Sequence, residues 1–268
     1  MKIVESIVKG KKRDGYCEDV LTITDHFIAV IDGVTSKSDF ICGEKKTGRI
    51  AAELIARAIE QSAPDSECTD IIKNCNASYE DFYRRTDFPY DKKEYGLQAV
   101  AVICSVSKRE IWLIGDCQAM VDGALYTSVK KSDIVLADLR SMILYLQPDQ
   151  SLSGGSFVDE GRKVILPWIV KATNFANRGD TPYGYAVING DEIPETLIKK
   201  IRLPEKSSEV ILASDGYPVL LPTLEKSEAE LAKTLREDPE CYRLHVSTKG
   251  IESGNISFDD RTYVRFTM

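Results

Sequence analysis

The sequence predicts an α+β fold in which helices cover antiparallel sheets. Two observations carry this. First, apolar stretches with strand character come in neighbouring pairs divided by turn residues. Thr24-Asp25 separates 19–24 from 26–32, and Asp122-Gly123 lies inside QAMVDGALYTS. Second, amphipathic helical rows come as a pair between runs of strands, rather than alternating singly with them.

Taken in order, residues 2–9 (KIVESIVK) read as a strand, followed by the pair 19–24 and 26–32. A helix is expected over about 43–61, where Ile50, Leu54 and Ala58 form one apolar row and Ala51, Ile55 and Ile59 the next. A second is expected over 69–86 on Ile71, Cys75, Tyr79 and Phe82, joined to the first by a loop around Pro64. Strands resume at 97–106 and 110–115 and in the hairpin around Asp122-Gly123. Apolar positions from Ile134 to Leu146 predict a helix over 133–147. The Gly-, Asn-, Asp- and Pro-rich stretch 148–190 reads mostly as loop with some strand. LSGGS at 152–156 lacks the lysine and the strand–helix context of a phosphate-binding loop. A short helix near 194–200, a strand at 208–214, a helix opened by a capping box at Ser227–Glu230 and a last strand at 261–268 complete the chain. No repeat or linker divides it, so residues 1–268 read as a single domain.

The 268 residues are enough to bury a sizeable core. A net charge of −7 gives no electrostatic reason to seek nucleic acid or an anionic membrane. The seven cysteines are odd in number and form no C-x-x-C pair, which supports neither a disulfide frame nor a structural zinc. A reducing, cytoplasmic compartment fits best. No stretch has the apolar length of a membrane helix, and the first fifteen residues lack the core of a signal peptide.

Acidic residues recur where strands begin or end. Glu18-Asp19 opens one strand, Asp32-Gly33 closes FIAVIDG, Gly115-Asp116 closes EIWLIG, Asp215-Gly216 closes EVILASDG, and Asp259-Asp260 opens the final strand. Any one such pair reads as a turn, and Asp122-Gly123 is that alone. As a set, carboxylates gathered at one sheet edge repel each other unless cations fill the site. Oxygen donors without His or Cys suit Mg²⁺ or Mn²⁺. Two such ions can hold and activate water for attack on phosphorus.

The segments RDGYCED, IAVIDG, IWLIGD, ILASDG and DDRTYV stand in an order and spacing that resembles the PPM (type 2C) metal-dependent protein phosphatases, over about residues 13–265. The resemblance implies a central β-sandwich of two antiparallel sheets flanked by helix pairs, with a dinuclear Mg²⁺ or Mn²⁺ site at one end. It implies that Asp32 bridges two ions, that Gly33 lends its carbonyl, that Glu18 holds the second ion, and that Asp215 and Asp259 hold the first. Asp116 would join Asp215 at a third, weaker site, and Asp19 and Asp260 would order bound waters. The implied activity is hydrolysis of phosphoserine and phosphothreonine in proteins by a metal-bound water, with a phosphoprotein as the partner.

The chain also departs from that pattern. Asp32-Gly33 continues as Val34-Thr35-Ser36-Lys37, and neither His26 nor His245 matches the histidine usually proposed as general acid. The phosphate-binding arginine is displaced by one residue, to Arg13, and Lys37 is a second candidate for the phosphate. YGLQAVAV replaces the usual small, threonine-rich segment at 95–102. Cys17 and Cys117 adjoin proposed ligands and read as buried filler. A silent PPM-like binding domain and a small-metabolite phosphatase are the alternative functions.

Overall fold

The computed structural model describes residues 1–147, 157–206 and 208–268. Two five-stranded sheets form a sandwich. The first has the order β1-β10-β9-β6-β7: β1 (Lys2–Lys9), β10 (Arg261–Thr267), β9 (Glu209–Ala213), β6 (Gln118–Val121) and β7 (Ala124–Thr127). The second has the order β2-β3-β4-β5-β8: β2 (Val20–Ile23), β3 (Phe27–Gly33), β4 (Ala99–Ser105), β5 (Glu110–Ile114) and β8 (Lys199–Arg202). Every strand pairing in both sheets is antiparallel.

The period of two in the strands builds the layers. Ile28 and Val30 of β3, with Val100, Val102 and Cys104 of β4, face the other sheet and pack on Val210, Leu212, Val264 and Phe266. The alternate residues Phe27, Ala29, Ile31, Ala101 and Ile103 face outward onto α1 (Thr47–Glu60) and α2 (Cys68–Arg85). Burial on both faces explains why FIAVI and AVAVICS are continuously apolar. On the far side Ile211, Ala213 and Tyr263 pack under α6 (Leu224–Glu237). The predicted helix pair, hairpins and sandwich are all present, and Asp122 and Gly123 have the positive φ values (47° and 84°) of a tight hairpin turn.

Several elements differ from the sequence reading. The expected loop after 148 contains α5 (Glu160–Ala172), which packs on α4 (Lys131–Leu146) despite Pro167 in its interior. Asp159 caps α5 by accepting from the Arg162 amide at 2.6 Å. The helix near 194–200 is one 3₁₀ turn, Glu195–Leu197, running into β8. Lys92–Tyr95 forms an extra short helix, α3, capped by Asp91. Ser227 does not open α6. Thr223 caps it four residues earlier, and the Ser227 hydroxyl turns inward to the Leu221 backbone. The LSGGS stretch lies outside the described residues. Among the described residues no helix is long and apolar enough to cross a membrane, and all seven cysteines are free.

Candidate metal centre

Strand register brings the acidic pairs together. Asp32 is the penultimate residue of β3, opposite Val100. Val20 of β2 pairs with Ile31, which sets Glu18-Asp19 beside that strand end. In the other sheet Ala213 lies between Tyr263 and Gln118, so Asp215, Asp259-Asp260 and Asp116 all leave the sandwich at the same end. Asp32, Asp116, Asp215 and Asp259 line one cleft of about 420 Å³. Its other walls include the segment after β3, α4, α5 and the 245–249 segment.

Asp19 joins the two sheets under this cleft. It is fully buried, and its Oδ2 accepts from Ser214 Oγ at 2.8 Å and Thr262 Oγ1 at 2.9 Å. Burial and the charge of Asp260 push its carboxyl up to about 7, against the pull of those two hydroxyls. Burial, then the charges of Asp19, Asp215, Asp259 and Asp116, push Asp32 well above the usual carboxylate range. Burial with Asp259 and Asp116 takes Asp215 up to about 8. Asp116 is raised chiefly by burial. Asp259 goes the other way: although burial opposes ionisation, Lys249 and Lys11 hold it well below the usual range.

Lysines supply the cations that the sequence reading missed. The Lys11 ammonium is 2.9 Å from Thr35 Oγ1, 3.1 Å from Asp259 Oδ1, 3.2 Å from Asp260 Oδ2 and 3.4 Å from Glu18 Oε2. The Lys11 amide also donates to Asp260 Oδ1 at 2.7 Å. Lys249 reaches Asp259 Oδ2 at 2.6 Å. Lys11 comes from a basic run, KGKKRDG, in which nothing marks one residue above another. Gly10 packs against the Tyr16 carbonyl, where no side chain fits, and the amide and ammonium of the next residue both meet Asp260. Arg13, by contrast, is exposed, pairs with no site carboxylate among the described residues and is absent from the cleft wall. The structure thus places Arg13 outside the cleft. Its side chain projects from a turn closed by Gly15, which donates to the Lys12 carbonyl.

Lys37 does line the cleft and donates to the Thr35 carbonyl at 2.8 Å. Burial first, then the nearby charges of Lys249 and Arg162, lower its pKa to about 7. His245 also lines the cleft, with its ring 5.0 Å from that of Phe258. Its place depends on Asp238, whose carboxylate accepts from the amides of Tyr242, Arg243, Leu244 and His245. His26 is exposed in the β2–β3 turn.

The donor set suits a hard divalent cation. Glu18 Oε1, Asp19 Oδ1 and Asp215 Oδ1 are buried carboxylate oxygens without a hydrogen-bond partner, an expensive arrangement unless a cation or water faces them. Donor atoms of Cys17, Asp19 and Asp260 also lie within 4.8 Å of one another. Burial and the adjacent aspartates push the Cys17 thiol up, so it stands there as a neutral neighbour. The glycines have a packing reason. A methyl group on Gly33 would collide with the Gly48 carbonyl at the start of α1, and one on Gly216 with the Asp260 carbonyl. Neither glycine has a positive φ, so close approach rather than a tight turn requires them.

No protein-family model matches the sequence, and no curated protein matches it. Solved structures do. The Mycobacterium tuberculosis serine/threonine phosphatase PstP/Ppp is similar over 100% of this chain and 98% of its own, at 14% identity and a TM-score of 0.50. The catalytic domain of PstP in complex with two manganese ions is similar over 100% of both chains, at 12% identity and a TM-score of 0.51. With its two antiparallel sheets and this likeness along its whole length, the chain has the fold of the PPM-type serine/threonine phosphatases.

Proposed function

We propose that this chain is a divalent-metal-dependent phosphomonoester hydrolase that acts on phosphoserine and phosphothreonine in proteins. One observation carries the reading: Asp32, Asp116, Asp215 and Asp259, from four separate strand ends, line a single cleft that also holds Lys37, Arg162 and Lys249. These four carboxylates would hold Mg²⁺ or Mn²⁺. Glu18 and the Gly33 carbonyl are the remaining donors expected of a two-ion centre. Asp19 and Asp260 would orient bound water. Manganese in the PstP structure supports Mn²⁺ as the first ion to test.

A divalent ion in this centre would supply an acidified water and polarise the phosphoryl oxygens. The chain's own groups do the rest. Burial first, then the charges of Lys249 and Arg162 in the same cleft, lower the Lys37 pKa, and an incoming phosphate dianion would relieve that repulsion. Lys130, just before α4, with Asp133 of α4 and Ile169 and Val170 of α5, walls the cleft, so substrate choice would reside there.

The test is hydrolysis of p-nitrophenyl phosphate and a phosphothreonine peptide, with and without Mn²⁺, by wild type and Asp215→Asn. Metal-dependent turnover lost in the variant supports the reading. The exposure of Arg13 favours a second one, a catalytically silent domain that binds a partner. Folded protein without turnover at saturating Mn²⁺ would select it.

A further inference from the structure

The seven carboxylates at this end of the sandwich are not equally provided for. Glu18, Asp259 and Asp260 share the Lys11 ammonium at 3.1–3.4 Å, and Asp259 has Lys249 on its other oxygen. Asp259 Oδ1 accepts from the Asp260 amide as well, at 3.0 Å. Asp32, Asp116 and Asp215 form the other set, while Asp19 stands apart on the hydroxyls of Ser214 and Thr262. Among the described residues none of these three has a lysine or arginine within ion-pair distance, and Asp215 Oδ1 is buried without a partner. One set has cations in contact with it, and the other has none at that distance among the described residues.

Lys11 is not a surface lysine that has strayed. The residue is 6% exposed and its amide is pinned to Asp260 Oδ1. With Thr35 Oγ1 at 2.9 Å, the ammonium has four oxygen neighbours, a small coordination shell. A divalent ion on Glu18 would share Oε2 with the ammonium or take Oε1, the other oxygen of the same carboxylate, which is buried without a partner beside Gly48. Two cations that close, away from water, repel strongly.

We propose that Lys11 is a resident cation of the centre: its ammonium takes the place of the second divalent ion on Glu18, and the chain binds one divalent ion, on the Asp32–Asp116–Asp215 side. The proposal rests on reading the cleft as a metal site. It adds that part of the metal's charge is built into the protein. Exchanging an ion for an ammonium keeps the carboxylates neutralised but removes one Lewis acid, so phosphate binding falls more heavily on Lys37 and Lys249.

The experiment is equilibrium dialysis against Mn²⁺, with bound metal counted per chain, for wild type, Lys11→Met, Lys11→Arg and Asp215→Asn. The expected result is one Mn²⁺ in wild type and in Lys11→Arg, two in Lys11→Met, and none in Asp215→Asn. Two ions in wild type would overturn the inference and leave the metal reading intact, because the lysine would then move aside. One ion in both wild type and a folded Lys11→Met would overturn it as well. No Mn²⁺ in any variant would overturn the metal reading, and this inference with it. If Lys11→Met does not fold, the wild-type count alone decides between one ion and two.

Discussion

Gly33 and Gly48 meet backbone to backbone, and this contact sets how close α1 lies to the end of β3. A methyl group on Gly33 would collide with the Gly48 carbonyl and lie 2.8 Å from the Glu18 carbonyl oxygen. One on Gly48 would lie 2.9 Å from Glu18 Oε1 and 2.6 Å from the Val34 carbonyl oxygen. Backbone atoms on both sides cannot swing away as a side chain can. Gly33→Ala is expected to cost about 3 kcal/mol of unfolding free energy in urea, the upper part of the overpacking range. It should also weaken Mn²⁺ binding, because the shift falls between Asp32 and Glu18. A Gly33→Ala protein as stable as wild type would show that α1 does not sit this close.

That contact also shows what could be read from the sequence and what could not. Asp32, Asp215 and Asp259 were legible because each stands where an apolar strand begins or ends, and such positions at one sandwich edge converge. The reason for Gly33 was not legible, since a glycine needed for a neighbour's backbone looks the same as one needed for a turn. Lys11 was hidden because it meets Asp260, 249 positions away. Helix α5 was hidden because Pro167 and the glycine-rich stretch before it argue against a helix, whereas the cap that allows it, Asp159, is a single polar residue. Ser227 misled because Ser-x-x-Glu describes a cap but says nothing of which way the hydroxyl faces.

Replacing Asp215 by Asn should move stability in opposite directions with and without metal. In the metal-free protein burial, with the charges of Asp259 and Asp116, raises the Asp215 carboxyl to about 8, so near neutral pH folding must take up a proton that an amide does not require. Metal-free Asp215→Asn is therefore expected to melt above metal-free wild type, by roughly 2–4 °C per kcal/mol in a chain of this size. With Mn²⁺ at a hundred times its Kd, wild type should gain about 2.7 kcal/mol and overtake the variant. Thermal melts with and without Mn²⁺ check this. Equal Mn²⁺ stabilisation of both proteins would remove Asp215 from the ligand set.

Arg140 fastens the 238–250 segment to the α4–α5 pair. Fully buried, it donates to the carbonyls of Glu240 at 2.7 Å, Ser247 at 2.9 Å and Cys241 at 3.0 Å, and to Asp159 Oδ2 at 2.8 Å. Arg140→Met would strand those carbonyls and leave Asp159 without its cation. A loss of about 3 kcal/mol is expected in chemical denaturation. Limited proteolysis should cut within 238–250 in the variant before the sheets open. Because this segment carries His245 and Lys249 to the cleft, KM for a phosphomonoester should rise more than kcat falls. Unchanged proteolysis would mean the segment is held by other contacts.

Asp238 predicts a pH dependence of stability with a definite sign. Burial works against its ionisation, but the amides of Arg243, Tyr242, Leu244 and His245 outweigh burial and hold its pKa below the ordinary value. A carboxylate with a lowered folded-state pKa contributes stability above the unfolded pKa, about 3.9, and loses it as pH falls through the folded value. The stability gap between wild type and Asp238→Asn should therefore be constant from pH 8 down to about 5 and narrow below 4. Urea titrations across that range measure it. A gap that widened in acid would contradict the assignment of the charge to these four amides.

Lys37 gives the corresponding prediction for activity. Burial, then Lys249 and Arg162, bring its pKa down to about 7, so the ammonium is present below that pH and lost above it. If it holds the substrate phosphate, kcat/KM should decline as pH rises through about 7. Lys37→Met should lower kcat/KM at pH 6 by roughly 10- to 100-fold, the worth of one hydrogen bond to a charged group. It should also flatten the decline, since the titrating group is gone. Lys37→Arg should keep activity to higher pH, because a guanidinium stays charged. Since wild type and variants share the substrate's own ionisation, the ratio of their profiles isolates Lys37. A ratio independent of pH would assign the alkaline limb to another group and return Lys37 to its bond with the Thr35 carbonyl.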